Sequence, residues 1–153
     1  MKRQRGVTLV ELVIALTLIA IAGATLYSAM AVMGSRSADP MLRQQSLALA
    51  ESYLEEILLQ PFADPASGSQ CPAAPGARAS FDNVCDYAGL VDNGARNRFG
   101  EAIAGLQDYR VSVSVTPQAW SGLSADRVLL VQVQVQDPAG GLVRLDSYRV
   151  KHD

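Results

Sequence analysis

A carboxylate stands inside a long apolar run near the start of this chain. Val7 to Gly34 is 28 residues, and Glu11 is the one charge among them. A carboxylate in apolar surroundings is costly unless it is paired, so its chemistry would be pairing with a cation. A basic cluster, Lys2, Arg3 and Arg5, lies just upstream and ends at Gly6. Farther on, Cys71 and Cys85 are the two cysteines of the chain. A bond between them would close a loop of about 15 residues and stabilise the fold by roughly 3 kcal/mol; two buried thiols are the alternative. Asp82, Asn83, Asp86, Asp92 and Asn93 bring together side-chain oxygens of the kind that calcium takes. Their spacing is not that of an EF-hand, and Asp and Asn are common in turns, so Asp82, Asp86 and Asp92 are weak calcium candidates. No C-x-x-C occurs, and the one histidine, His152, is read as solvated. With no nucleophile–base pair, phosphate loop or metal spacing, the chain reads as no enzyme and as needing no cofactor.

These residues need elements to hold them. Between Glu11 and Arg36 lie 24 uncharged residues. At about 1.5 Å per residue, a helix of that length crosses the ~30 Å hydrocarbon core of a bilayer. The basic start puts the N-terminus in the cytoplasm and the rest outside. An ordinary signal peptide is one reading, with "SAMA" (Ser28 to Ala31) as an A-x-A-like site. Its apolar stretch would be too long, and a carboxylate would sit inside its start. A plain signal anchor, with Glu11 tolerated near the interface, is a second reading that leaves the placement unexplained.

A third reading explains it. "RGVTLVEL" resembles the processing site of the type IV pilin and pseudopilin family. The resemblance implies that a membrane aspartyl prepilin peptidase removes residues 1–6 after Gly6. The new first residue, Val7, is then N-methylated, and Glu11 becomes the fifth mature residue. Val7 departs from the Phe or Met usual there, and Val7–Gly34 lacks the helix-kinking proline of many major pilins. The family also implies that Glu11 meets the N-terminal amine of a neighbouring subunit in the filament core. Implied partners are major and other minor pilins, the prepilin peptidase and an inner-membrane assembly platform. Implied localisation is the bacterial inner membrane, single-pass with a periplasmic C-terminal domain, and then the pilus at the cell surface. A minor pseudopilin of type II secretion is the alternative within the family. A membrane-anchored periplasmic binding module that never polymerises is the alternative outside it.

The remainder supports one domain. The chain has 153 residues, 49 % of them apolar and 18 % charged, with a formal net charge of −2. Without Lys2, Arg3 and Arg5 the 13 basic residues fall to 10 against 15 acidic ones, and nothing marks a nucleic-acid surface. The expected fold is α+β and pilin-like: a transmembrane/filament-core helix over 7–34, then a globular domain over 35–153. In the latter a helix over 40–60 begins with Asp39 as cap and Pro40 at its first position, after loosening at Gly34 to Pro40. Its stripe of Leu47, Ala50, Leu54, Ile57 and Leu58 faces a sheet, while Gln44, Gln45, Glu51, Glu55 and Glu56 are solvated. A disulfide-stapled loop fills 61–108, and an antiparallel β-meander fills 109–151. "YRVSVSVT" and "VLLVQVQVQ" alternate Tyr109, Val111, Val113 and Val115, and Leu129, Val131, Val133 and Val135, against polar partners. "LVRLDSYRV" is a third strand, bulged near Asp146, and Trp120 is a packing anchor or a partner contact.

Overall fold

The structure, a computed structural model, describes residues 8–36 and 38–152. The chain divides into two compact units, residues 1–40 and 41–153. The first holds helix α1, Leu9–Arg36. Its stretch Leu9–Ser28 is 20 residues long with a mean hydropathy of 2.4, and no side chain in it is buried. The helix is therefore apolar around its circumference, the pattern of a helix that spans a membrane or is buried on all sides. Thr17 and Thr25 hide their hydroxyls by donating to the carbonyls of Ile14 and Ala22, both at 2.8 Å. The helix runs through Gly34 to Arg36, and Ser37, in the middle of the stretch where loosening is expected, lies outside the described residues.

Helix α2 spans Ala38–Leu58 and from Met41 belongs to the second unit. It begins ahead of Asp39, which therefore lies inside the helix and not at its cap. Pro40 is tolerated because a first-turn N–H has no intrahelical partner to lose. The sheet is antiparallel, in the order β1 (Val91–Asn93), β2 (Arg110–Pro117), β3 (Val128–Gln136), β4 (Leu142–Val150). Thus an α2 helix on a four-stranded meander gives the α+β, pilin-like arrangement. The alternation works as expected on β2 and β3: Val111, Val113, Val115, Leu129, Val131, Val133 and Val135 form the core with Ala50, Tyr53 and Ile57 of α2.

Three expectations need correction. Strand β4 pairs with β3 in unbroken register from Val128–Val150 to Gln136–Leu142, so there is no bulge at Asp146. The Arg144–Asp146 pair keeps both charges on the solvent face, and the alternation needs no extra residue. Of the expected stripe, Ala50 and Ile57 are buried and Leu54 and Leu58 pack against the core, but Leu47 is 39 % exposed; Ser46, Leu49 and Tyr53 complete the buried face. The span 61–108 is not irregular throughout, because it holds 3-10 turns at Arg78–Ser80 and Val84–Tyr87 and the edge strand β1. Strand β1 is ended by Gly94 at φ 82, where a Cβ would lie 3.2 Å from the Gln107 carbonyl oxygen.

What fastens that span is one guanidinium. The Arg78 side chain is 6 % exposed, with Asp92 of β1 at 2.5 Å and Glu56 of α2 at 3.1 Å; those carboxylates are 7 % and 17 % exposed. It lies 4.6 Å from the Tyr53 ring centre and 5.9 Å from that of Tyr87. The Tyr53 hydroxyl donates to Asp92 at 2.7 Å and accepts the Arg96 backbone N–H at 2.7 Å. The Tyr87 hydroxyl donates to Glu56 at 2.9 Å. Glu56 is therefore not part of a solvated face. Gln45 is exposed as expected, and its side-chain oxygen accepts the Tyr109 hydroxyl at 2.6 Å.

Removing Arg78 would leave two largely buried carboxylates uncompensated. Arg78→Met should cost roughly 3–5 kcal/mol, read from denaturant midpoints. Arg78→Lys should recover only part of this, because an ammonium cannot serve both carboxylates with a planar fork. A midpoint shift below about 1 kcal/mol for Arg78→Met would refute this account. Alkali should act on the same cluster. Burial, helped by Glu56, raises the Tyr87 pKa, and burial raises that of Tyr53 and Tyr109. Above about pH 10 the unfolded chain then releases phenolic protons that the folded domain retains. Stability should fall as pH rises past that point, and absorbance titration should show these tyrosines ionising late; Tyr87→Phe should reduce the fall.

Candidate functional site

The N-terminal segment carries the first candidate site. Gly6 and Val7 lie outside the described residues. Thr8 directly precedes α1, and its Oγ1 accepts the Glu11 backbone N–H at 3.3 Å. Thr8-x-x-Glu11 is thus the spacing of a helix start, with the threonine satisfying one of the orphan donors of the first turn. The sequence reading passed over this signal, although the residues are adjacent in the chain. It gives the carboxylate a local electrostatic setting. A negative charge in the first turn faces the positive end of the helix dipole, worth some tenths of a kcal/mol to about 1 kcal/mol. That interaction lessens the cost of the charge and leaves the carboxylate oxygens free to meet a cation from outside the helix.

The second candidate site was the loop. Cys71 and Cys85 are bonded, with their Cα atoms 5.1 Å apart. Cys85 is positioned by the turn Val84–Tyr87, which has a full capping box. The Asn83 side-chain oxygen accepts the Cys85 N–H at 2.9 Å, and the Asp86 carboxylate accepts the N–H of Asn83 at 3.3 Å and that of Asp82 at 2.9 Å. A rigid turn thus presents one sulfur from the core side, while Cys71 stays exposed.

The acidic residues separate into different tasks. Asp86 caps, and Asp92 pairs with Arg78 and lies 4.0 Å from Arg96 Nε. Asp82 accepts from the Asn83 amide at 3.3 Å. Among the described residues, no group of three or more His, Cys, Asp or Glu side chains is placed to hold a metal ion. Arg78 is the residue that sequence reasoning missed. One signal for it existed: it is the lone basic residue between Pro61 and Ala95, a stretch with four aspartates.

Trp120 sits in a tight turn between β2 and β3, bridged to Leu123. Ser121 and Gly122 both take the left-handed region, at φ 50 and 83. A serine there is strained by about 1–3 kcal/mol. The turn lays the Trp120 ring on that of Tyr148, with centres 4.8 Å apart and planes 13° apart. Trp120 is therefore an exposed partner of another ring, outside the buried core.

Reduction should act on the stapled loop first. With the Cys71–Cys85 bond broken, the segment between α2 and β1 should become protease-sensitive, with a stability loss of about 3 kcal/mol. Limited proteolysis with and without reductant, read by peptide mapping, checks this; identical cleavage patterns would refute it.

Residues 1–27 match the family model described as the prokaryotic N-terminal methylation motif. No curated protein and no solved structure matches the chain. Such a motif implies processing by prepilin peptidase and assembly with other pilins. It points to a structural subunit rather than an enzyme, and the apolar helix suggests a membrane anchor with a soluble C-terminal domain. The methylation motif, the apolar helix with its single carboxylate and the helix-on-sheet domain together support a type IV pilin-like or pseudopilin protein.

Proposed function

We propose that this chain is a minor type IV pilin that takes part in pilus initiation and surface attachment. The observation that carries the reading is the methylation motif over residues 1–27 running into a helix whose stretch Leu9–Ser28 has no buried side chain. A helix apolar on all sides must find apolar surroundings elsewhere. A bilayer supplies them before assembly, and the bundled helices of a filament supply them after it. Within the family, "DPMLRQQSLALAESYLEEILLQPF" (residues 39–62) and "ASFDNVCDYAGL" (residues 79–90) resemble a minor pilin, the D component, of the mannose-sensitive haemagglutinin pilus. Those two segments contain Tyr53, Glu56, Cys85 and Tyr87, so the likeness lies in residues that build the core of the domain.

The mechanism we propose begins with cleavage between Gly6 and Val7. Glycine has no Cβ, which lets the backbone enter a narrow protease site. Cleavage removes three basic residues and creates an amine at Val7. On transfer into the filament, the Glu11 carboxylate meets the corresponding amine of a neighbour. The pair sets axial register, because any other register buries both charges alone.

Two measurements test this. Intact-mass spectrometry of the membrane-extracted protein should find a chain starting at N-methyl-Val7, and a bulky residue at Gly6 should leave the precursor uncut. Glu11→Ala should insert and be cleaved as the wild type is. It should then be depleted from sheared pili by a factor corresponding to about 3–5 kcal/mol, with Glu11→Gln intermediate. Equal incorporation of Glu11→Ala and wild type would overturn the pairing role and leave the helix-start setting beside Thr8 as the reason for the carboxylate.

A further inference from the structure

The sheet has two edges of unequal length. One is β1, with 3 residues; the other is β4, with 9. The backbone bonds just beyond the ends of β4 fix which way its polar groups turn. The Gly141 carbonyl accepts the Asp137 N–H and the Lys151 N–H donates to the Arg127 carbonyl, both at 2.9 Å and both on the β3 side. Along an antiparallel ladder that orientation alternates from residue to residue. The odd residues of β4 therefore bond β3. The even ones, Leu142, Arg144, Asp146, Tyr148 and Val150, turn N–H and C=O away from it and have no other backbone partner among the described residues. Open edges are commonly blocked by proline, lysine or a bulge, and β4 has none of these. Its outward charges, Arg144 and Asp146, are of opposite sign and fork onto each other with two bonds of 2.7 Å.

We propose that β4 pairs antiparallel with β4 of a second copy of this chain. The pairing is independent of the filament reading. Charge selects both the partner and the register. With Leu145 set opposite itself, Arg144 of each copy faces Asp146 of the other, Leu142 faces Tyr148, and Val143 faces Ser147. The even residues are then the hydrogen-bonded pairs, each exchanging N–H and C=O across the edge. On the solvent face the pairs are complementary throughout: an ion pair in each direction, and Leu142, 56 % exposed, laid against Tyr148, 36 % exposed. On the core face the two Leu145 side chains meet at the two-fold axis, where Cα atoms approach to about 4.5 Å. Leu145 and Val143 are only partly buried against their own core, so the second copy covers apolar surface that one chain leaves open. The remaining charge of the strand, Arg149, meets Gly141. A shift by two residues sets Arg144 against Arg144, or Asp146 against Asp146, at about 5.5 Å between Cα atoms. A slip by one turns the core face of one strand to the solvent face of the other. The fork within each chain gives way readily, since Arg144 and Asp146 are 54 % and 41 % exposed there and a surface pair holds little. The interface is isologous and closes on two subunits, whereas an unrelated extended peptide would lack the reciprocal charges.

Sedimentation equilibrium of the full-length protein, in a density-matched zwitterionic detergent, reads the association. The wild type should form a dimer. Arg144→Asp and Asp146→Arg, both exposed surface changes, should each weaken it at least about tenfold, because each sets like charges across the edge. Mixed in equal amounts, the two variants should pair with each other, and the chain carrying both reversals should dimerise as the wild type does. Disulfide trapping in membranes reads the register, since Cys71 and Cys85 are already bonded and an added thiol is the free one. Leu145→Cys should give a cross-linked dimer on a non-reducing gel. Val143→Cys should not, because its two copies lie about 13 Å apart along the strands. A monomeric wild type overturns the pairing. So does a dimer that both single reversals leave intact, which would assign association to α1, or a mixture of the reversals that fails to pair. Trapping at Val143 as readily as at Leu145 overturns it as well.

Discussion

The soluble domain depends on one buried cation. Arg78 comes from a stretch of proline, glycine and alanine that has few apolar groups of its own. Its guanidinium reaches α2 through Glu56 and β1 through Asp92, and it packs against two tyrosine rings. Two carboxylates and two phenols surround the terminal nitrogens of the fork, so the charge is desolvated without being left alone, although Arg78 Nε has no hydrogen-bond partner among the described residues. The consequence is geometric. Helix, loop and sheet edge are joined at one point, and the disulfide joins the loop to the core at a second, through Cys85 in its capped turn. Between these two fixings, a long segment of low hydrophobicity stays ordered.

The N-terminal unit follows the opposite logic. Over Leu9–Ser28 no side chain is buried, and the two threonine hydroxyls return to their own backbone. The one charge of this stretch is the Glu11 carboxylate. Its backbone N–H is taken by Thr8, and the helix dipole favours its charge. Neither interaction uses the carboxylate's capacity to accept from a cation. A carboxylate at the mouth of an apolar helix, with no side-chain partner among the described residues, is suited to pairing outside the helix.

The sheet shows how one alternation serves two ends. Residues of one parity on β2 and β3 make a valine core against α2, and the other parity makes rows of serine and glutamine. A face that only had to be wet would tolerate any polar residue. Here the charged residues of β4 are paired with each other, and an exposed aromatic stack closes one end. The burial pattern alone does not require that combination.

Much of this was legible in the sequence. Twenty-eight residues with one charge, a period-two alternation and a five-residue turn between β3 and β4 are local patterns, and helix, strand and turn form from local patterns. The bonded cysteines were legible too, because only two exist. The tertiary structure decided the rest. Glu56 looked like one of several solvated glutamates, and Asp92 like one of several loop carboxylates. Their meeting at Arg78 spans 22 and 14 residues of separation, which no local periodicity encodes. The same holds for β1, whose three residues have no pattern and become a strand only because β2 offers a free edge. Leu47 was misplaced for a related reason. A helix has several apolar stripes, and the sheet it meets selects among them. Local chemistry determined which elements form; the closing of the chain determined which charges are buried together.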